Sequence, residues 1–215
     1  MLIYHLYFHL LEKPASSSFQ VFADVQGFAQ RYVQDWNTWL AATPSTRPDL
    51  FGRILRKWQA TRPNSMRRLK DQASHAPPFL DDLLMSAGEP IATLEDLDVR
   101  AIRDRSTDQE KALCDLWRIF EQLPTTGTAS CVGITKAVLL LTDGKLGPAF
   151  DSQVRKKLRV GQPASCTAWI SALEAIADDI ASFEDTHHIP LTKAVPDAFA
   201  SLAYGRLYDM ALGPR

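Results

Sequence analysis

Apolar residues recur along most of this chain at the spacing of an α-helix, and this feature most constrains its fold. Between Ser165 and Glu184 they fall three or four positions apart, which places them on one helical face. They are Trp169, Ile170, Leu173, Ile176, Ala177 and Ile180. The same pattern predicts helices over residues 19–42, 50–61, 79–87, 108–122, 134–141 and 197–212. Since no convincing strand alternation follows residue 12, we expect an all-α fold of about eight helices.

The length and composition indicate one globular body. The chain has 215 residues, of which 46% are hydrophobic and 23% are charged, so it can bury a sizeable core and is not of a disordered type. We expect a single all-helical domain over residues 1–215, either compact or with two lobes that meet near 88–105. The apolar start, residues 1–11, is too short to span a membrane and lacks the basic region of a signal peptide. We therefore expect no membrane partner.

The cysteines predict a reducing compartment and exclude a clustered metal site. Cys114, Cys131 and Cys166 are odd in number and widely spaced, which is not the pattern of a disulfide framework. We therefore expect three free thiols and a cytoplasmic location. Zinc sites and iron–sulfur clusters need clustered ligands, and a histidine pair such as His187–His188 is typical of a helix end. We expect no metal and no cofactor.

The stretch from Val132 to Gly161 carries the strongest functional signal. Its sequence indicates a buried helix, a connector with glycine and proline, and a second, basic helix, so residues 129–160 form a central element. Gly133 is expected at the start of the first helix, where unpaired backbone amides and the helix dipole attract an anion. Lys136 follows on a nearly all-apolar helix, from which it reaches either into a cleft or, by snorkelling, to solvent.

The second helix of the central element combines one carboxylate with a basic cluster. Asp151 is expected at its N-terminus, where aspartate is favoured as a cap and by the helix dipole. Capping alone is a sufficient explanation for this residue. The cluster that follows can contact a run of phosphates, and it consists of Arg155, Lys156, Lys157 and Arg159. Because the net charge of the whole chain is −1, any attraction for nucleic acid has to come from such a local cluster.

Residues 131–161 resemble the core of the helix-hairpin-helix DNA glycosylases, the endonuclease III-like superfamily, or a bacterial offshoot of it. The matching positions are Val132, Gly133, Ala137, Pro148, Asp151, Ser152, Val154 and Arg155. The chain departs from the family at Cys131, which stands in place of the first hairpin glycine. It also departs at Thr135, which occupies the position of the Schiff-base lysine, one residue before Lys136. The family's C-terminal cysteine cluster is absent.

The resemblance implies a helix-hairpin-helix glycosylase-like fold and a protein that acts on double-stranded DNA. A damaged base would be flipped into a pocket. Asp151 would stabilise the charge that develops on the sugar or activate a water, and Lys136 would assist as a charge or a nucleophile. The residues that contact DNA would be Gly133, Thr135, Arg155, Lys156, Lys157 and Arg159. Two alternatives stay open: a non-catalytic module that binds nucleic acid or a protein, and a structural helical domain.

Overall fold

A computed structural model describes residues 25–61, 80–123 and 129–214. Within these ranges the chain is all-helical, as predicted, with nine α-helices and three short 3₁₀ helices. The α-helices are α1 (Gln30–Leu40), α2 (Arg47–Lys57), α3 (Leu80–Thr93), α4 (Thr107–Phe120), α5 (Cys131–Leu141), α6 (Ser152–Leu158), α7 (Cys166–His187), α8 (Leu191–Ala194) and α9 (Tyr204–Leu212). The 3₁₀ helices are Val25–Gly27, Val99–Asp104 and Asp197–Phe199. The apolar N-terminal segment lies outside the described residues.

Several helix boundaries follow capping chemistry rather than the extent of the apolar stripe. The Ser106 hydroxyl before α4 accepts a hydrogen bond from the Gln109 amide, and the Gln109 side chain accepts one from the Ser106 amide. Ser165 caps α7 close to the predicted start. α3 continues through Gly88 to Thr93 instead of ending at residue 87. Gly88 does not have the left-handed conformation of a glycine that ends a helix.

The core is continuous and α5 lies within it. Most side chains of α5 are buried, as its nearly all-apolar sequence predicts, and the helix packs against α2 and α4. α9 is buried from Gly205 to Leu212. Buried side chains from both sides of residues 88–105 belong to the same core. No helix in the described part of the chain is both long and apolar enough to cross a membrane.

A disulfide bond joins α4 to α7, so the prediction of three free thiols is wrong. Cys114 lies on α4 and Cys166 is the first residue of α7, and the packing of these helices brings their Cα atoms to 5.3 Å. The two cysteines are 52 residues apart in the sequence, so spacing alone does not reveal the bond. Cys131 is the free cysteine of the described residues, and it is buried. The cytoplasmic location, which was inferred from reduced thiols, therefore stays a prediction with a weaker basis.

Candidate functional site

A small pocket lies where the central element meets α9. It is lined by Phe28, Tyr32, Trp58, Lys136, Ala149, Asp151, Arg206, Asp209 and Pro214. Its volume is about 20 Å³, which is room for about one water molecule. Two basic and two acidic side chains meet there. The structure therefore brings the two predicted catalytic residues, Lys136 and Asp151, to the same pocket.

Lys136 reaches the pocket from the second turn of α5. Its Nζ donates a hydrogen bond to the Trp58 carbonyl oxygen at 2.5 Å, so the ammonium group turns toward the end of α2. Burial lowers the pKa of Lys136, and the negative charges of Asp151 and Asp209 oppose this change. A lysine in such surroundings releases its proton more readily than a surface lysine, which is the property that general bases and amine nucleophiles need.

Asp151 is the N-cap of α6, as predicted. Its Oδ1 accepts hydrogen bonds from the Gln153 and Val154 amides, each at 2.9 Å. These bonds use one carboxylate oxygen and fix the orientation of the side chain beside the pocket. Capping of α6 and a role in the pocket are therefore compatible for this residue.

The part of the pocket that α9 provides consists of Arg206 and Asp209 and was not predicted from the sequence. Arg206 is 1% exposed, and its Nη1 donates a hydrogen bond to Asp209 Oδ2 at 2.5 Å. The aromatic rings of Trp36, Phe28 and Trp58 surround the guanidinium, with centroids 4.4, 4.9 and 5.9 Å from its central carbon. Burial lowers the pKa of Arg206 and raises the pKa of Asp209, while their mutual attraction opposes both changes. The Nε of Arg206 is buried without a hydrogen-bond partner among the described residues.

A sequence signal for this half of the pocket exists. Arg206 and Asp209 are three residues apart and thus share one face of α9. Most of their neighbours in α9 are apolar. Since arginine and aspartate are rarely buried unless they are paired, an ion-pair spacing inside an apolar helix indicates a buried pair.

Glycines allow α9 to approach the connector between α5 and α6 closely. A Cβ atom at Gly205 would lie 2.4 Å from the Gly147 amide nitrogen and 2.7 Å from the Gly144 carbonyl oxygen. Gly144 has a φ of +84°, in the left-handed region, and its carbonyl accepts a hydrogen bond from the Arg206 amide at 2.8 Å. The peptide bond between Gly147 and Pro148 is cis. The connector glycines therefore set the distance between the connector and α9.

Gly133 supports helix packing. α5 begins at Cys131, earlier than predicted, and the Gly133 amide donates to the Ser130 carbonyl oxygen within the first turn. A Cβ atom at this position would lie 2.9 Å from the Ala60 carbonyl oxygen, so glycine permits the close approach of two backbone segments. Gly133 is buried, so packing is sufficient to explain this glycine, and its contact with DNA stays a prediction.

Thr135 is also buried and acts on the connector. It is 1% exposed, and its hydroxyl donates to the Cys131 carbonyl oxygen at 2.7 Å and accepts from the Phe150 amide at 2.9 Å. Phe150 directly precedes Asp151 in the chain. Thr135 therefore fixes the backbone that leads into Asp151, and its contact with DNA stays a prediction.

The basic residues of α6 contribute in different ways. Arg155 is partly buried, whereas Lys156 and Arg159 are exposed. Lys157 donates a hydrogen bond from Nζ to the Ala211 carbonyl oxygen at 3.1 Å and so links α6 to α9. Lys156 and Arg159 are therefore the members of the predicted DNA-binding cluster that present their charge most directly to solvent.

The pocket combines a buried amine, a capping carboxylate and a buried ion pair. These groups are suited to proton transfer and to the stabilisation of a developing positive charge. No group of three or more His, Cys, Asp and Glu residues placed to hold a metal ion occurs within residues 25–61, 80–123 and 129–214.

Comparisons of the chain with protein-family models, with curated proteins and with solved structures found no match.

Proposed function

We propose that this protein binds double-stranded DNA and excises a base, with the pocket of Lys136 and Asp151 as its reaction centre. The observation that carries the proposal is that these two side chains, which lie on opposite sides of the connector in the sequence, line one pocket. The reaction class comes from the resemblance of residues 131–161 to the helix-hairpin-helix glycosylases. A helix-hairpin-helix glycosylase-like fold is part of the same proposal.

Positive charge near the pocket supports an anionic partner. α6 begins directly after Asp151 and exposes Lys156, and Arg159 is exposed directly after the last residue of α6. The last turn of α2 exposes Arg56 and Lys57 next to Trp58, which lines the pocket. Asp35 offsets part of this charge through an ion pair with Lys57. α2, which ends at the pocket, and α6, which begins there, therefore raise the local potential for phosphates although the chain as a whole is nearly neutral.

In the proposed reaction, an extruded nucleotide enters the pocket and its C1′–N bond breaks. The base departs with the electron pair of that bond and takes up a proton from the Lys136 ammonium, while a water molecule adds its oxygen to C1′ and loses a proton to Asp151. The negative charge of Asp151 stabilises the positive sugar in the transition state. The pocket of about 20 Å³ is too small for a base, so DNA binding has to widen it. Phe28, Tyr32 and Trp58 provide aromatic surfaces at its wall.

A second candidate is a structural or interaction domain without catalysis. It is favoured by the small volume of the pocket and by the internal partners of its charged groups. Lys136 bonds to a backbone carbonyl, Asp151 caps a helix, and Arg206 pairs with Asp209. In this case the cluster only fastens α5, α6 and α9 to each other.

Binding to DNA is tested first by fluorescence anisotropy with a duplex that carries an abasic-site analogue. The intact duplex of the same sequence is the reference, and both are measured at several salt concentrations. Preference for the abasic duplex supports a pocket that accepts an extruded nucleotide. Salt-sensitive binding without preference supports a non-catalytic DNA-binding module, and no binding at low salt overturns the nucleic-acid proposal.

The exposed basic residues of α6 are tested with the double variant Lys156→Ala, Arg159→Ala. Loss of two phosphate contacts is expected to reduce the slope of log K against log salt by about 2. The matched control is Lys111→Ala, Arg118→Ala, which removes the same charge from the surface of α4, a helix that contributes no residue to the lining of this pocket. An equal loss of slope in both double variants argues against α6 as the contact surface.

Asp151→Asn separates the reaction from the stability of α6. Asparagine caps helices about as well as aspartate, so the folded state should persist, whereas base excision should fall by about 100-fold or more because the negative charge is lost. Asp151→Ala is the contrasting variant, and it should lose about 1 kcal/mol of unfolding free energy with the cap. Excision is measured by release of base from a panel of damaged duplexes. A release that Asp151→Asn leaves unchanged would exclude Asp151 as the reacting group.

A further inference from the structure

The C-terminal helix α9 holds the connector at both of its ends. Near the start of the connector, the Arg206 amide donates to the Gly144 carbonyl oxygen at 2.8 Å. Near its end, the Ala149 amide donates to Asp209 Oδ1 at 3.1 Å. Ala149 lies two residues before Asp151 in the chain. The side chain of Asp209 therefore links α9 directly to the backbone that leads into Asp151.

The other oxygen of Asp209 is fixed by a group that itself has little freedom to move. Asp209 Oδ2 accepts from Arg206 Nη1, and the guanidinium of Arg206 is enclosed by aromatic rings from Phe28, Trp36 and Trp58. The Arg206 Nη2 also donates to the Tyr32 carbonyl oxygen at 3.4 Å. Asp209 is thus held from two sides, and it is only 7% exposed.

We infer that Asp209 is a positioning residue of the pocket, which fixes the backbone ahead of Asp151 and faces Lys136 with a compensating negative charge. The assignment as a positioning residue rests on the proposed function, in which Asp151 and Lys136 are the reacting groups. Asp209 takes no bond-forming step itself. It acts through Ala149 on the orientation of Asp151 and through its charge on the protonation of Lys136.

The charged groups around Asp209 come from four elements. Arg206 faces it from the same helix, Lys136 from α5, and Asp151 from the start of α6. Asp35 on α1 acts on the pair through its attraction for Arg206. Burial raises the pKa of Asp209, and the negative charge of Asp151 adds to this change. The positive charges of Arg206 and Lys136 and the hydrogen bond from the Ala149 amide oppose it. The pocket therefore holds mutually dependent charges, and removal of one changes the proton affinity of the others.

Stability alone does not explain why this site is ionic. A buried ion pair can often be replaced by apolar residues of similar size without loss of stability, because both charges have to be removed from water. Apolar residues at positions 206 and 209 could pack against the same aromatic rings. They could not accept the Ala149 hydrogen bond or place a negative charge opposite Lys136, and these are the two properties that the pocket requires.

The test is a pH titration of Lys136 by NMR of its side-chain 15Nζ and 13Cε nuclei in the full chain without DNA. Asp209→Asn removes the compensating charge and leaves Arg206 unpaired, and both changes disfavour the lysine cation. The acid dissociation constant of Lys136 is expected to rise on the order of tenfold. If the acid dissociation constant of Lys136 in a folded variant stays within about twofold of its value in the parent, the inference is overturned and Asp209 is only a structural anchor.

Asp179→Asn is the matched control. Asp179 is a second carboxylate of the core, also 7% exposed, and it accepts a hydrogen bond from the Tyr208 hydroxyl of the same helix α9. It is not among the charges that act on Lys136. This variant should lose stability but leave the titration of Lys136 unchanged. An equal shift in both variants would show that a general loosening of α9, and not the charge of Asp209, alters Lys136.

The reciprocal measurement keeps the inference falsifiable if Asp209→Asn does not fold. Lys136→Met removes the positive charge opposite Asp209, and the side-chain carboxyl 13C signal of Asp209 should then titrate at higher pH than in the parent. An unchanged carboxyl titration overturns the inference. Base excision is measured separately. If Asp209 and Lys136 shift each other's titration but no base is released, only the proposed function is contradicted. If base is released but neither titration depends on the other residue, only the inference is contradicted.

Discussion

Two sides of this molecule are held together by different means. On the pocket side, α9 meets the connector of residues 142–151 through buried charged groups and glycine contacts, and Lys136 of α5 lines the same pocket. On the cystine side, α7 meets α4 and the 3₁₀ helix Val99–Asp104 through a disulfide bond and partly exposed ion pairs. These pairs are Arg100–Glu184, Arg103–Asp178 and Arg105–Glu174.

This difference between the two sides indicates which contacts contribute mainly to stability and which contribute to a functional site. Ion pairs at the surface cost little to form and contribute little, and a cross-link stabilises without any desolvation of charge. Burial of Arg206, Asp209 and part of Lys136 carries a desolvation cost that apolar residues would avoid. Natural proteins accept such an avoidable desolvation cost mainly at functional sites. The pocket side is therefore the better candidate for function, and the following variants test the contrast between the two sides.

Asp209→Ala should have the largest effect on stability. It leaves the buried guanidinium of Arg206 without its partner and the Ala149 amide without its acceptor. Loss of one member of a buried pair costs about 3–5 kcal/mol of unfolding free energy. Urea unfolding followed by circular dichroism measures this loss.

The double variant Arg206→Met, Asp209→Leu is its control, because it removes the guanidinium together with its partner, while the Ala149 amide loses its acceptor in both variants. It should recover much of the stability that Asp209→Ala loses. If the double variant is no more stable than the single one, unpaired charge is not the cause of the destabilisation.

Loss of the disulfide bond between Cys114 and Cys166 should have the second-largest effect on stability. Cys114→Ser opens a cross-link between cysteines 52 residues apart, a segment that contains α5, the connector and α6. The expected loss is about 2–4 kcal/mol of unfolding free energy. Treatment of the parent with reductant should give a similar loss. Maleimide labelling in denaturant should modify Cys131 alone before reduction and all three cysteines after it; three labelled cysteines before reduction would contradict the bond.

Lys136 should give a smaller, pH-dependent effect. Its pKa in the folded state is lowered by burial from the ordinary value of 10.5. Between the lowered pKa and 10.5 the unfolded chain binds more protons than the folded chain, so the unfolding free energy rises with pH across this window. This contribution is complete above 10.5 and is lost as the pH falls through the folded pKa.

The variant Lys136→Met lacks this titration while it keeps an unbranched side chain that is one atom shorter. The difference in unfolding free energy, parent minus Lys136→Met, should therefore increase from neutral pH to above 10.5. Groups remote from the pocket titrate alike in both proteins and cancel in the difference. A constant difference over this range would mean that the pKa of Lys136 is not lowered in the folded state.

Local sequence information was sufficient for the helices and for one part of the pocket. The helical period predicted α7 from Ser165 to Glu184, and the observed helix starts one residue later, at Cys166. The position of Asp151 ahead of a short basic helix predicted its capping bonds, which are confirmed. Both features depend on interactions within a few residues, which a sequence pattern records directly.

The parts that were not predicted depend on contacts between distant segments. The cystine and the bond from Ala149 to Asp209 join residues 52 and 60 positions apart. Gly133 has the residue type that anion-binding helix starts use, yet the nearby Ala60 backbone explains it. Such a glycine is ambiguous in sequence because close packing and ligand binding both require the absence of a Cβ atom.

The smallest effect is expected on the cystine side, at the ion pair of Arg103 and Asp178. The guanidinium makes two hydrogen bonds to the carboxylate, from Nε and Nη2, but the two side chains are 47% and 54% exposed. Water competes for both groups, so Arg103→Ala should lose between about 0 and 1 kcal/mol of unfolding free energy, and less at high salt. Asp178→Asn should give a loss of the same size, measured by urea unfolding. A loss as large as that of Asp209→Ala would remove the contrast between exposed and buried pairs on which the assignment of the pocket side depends.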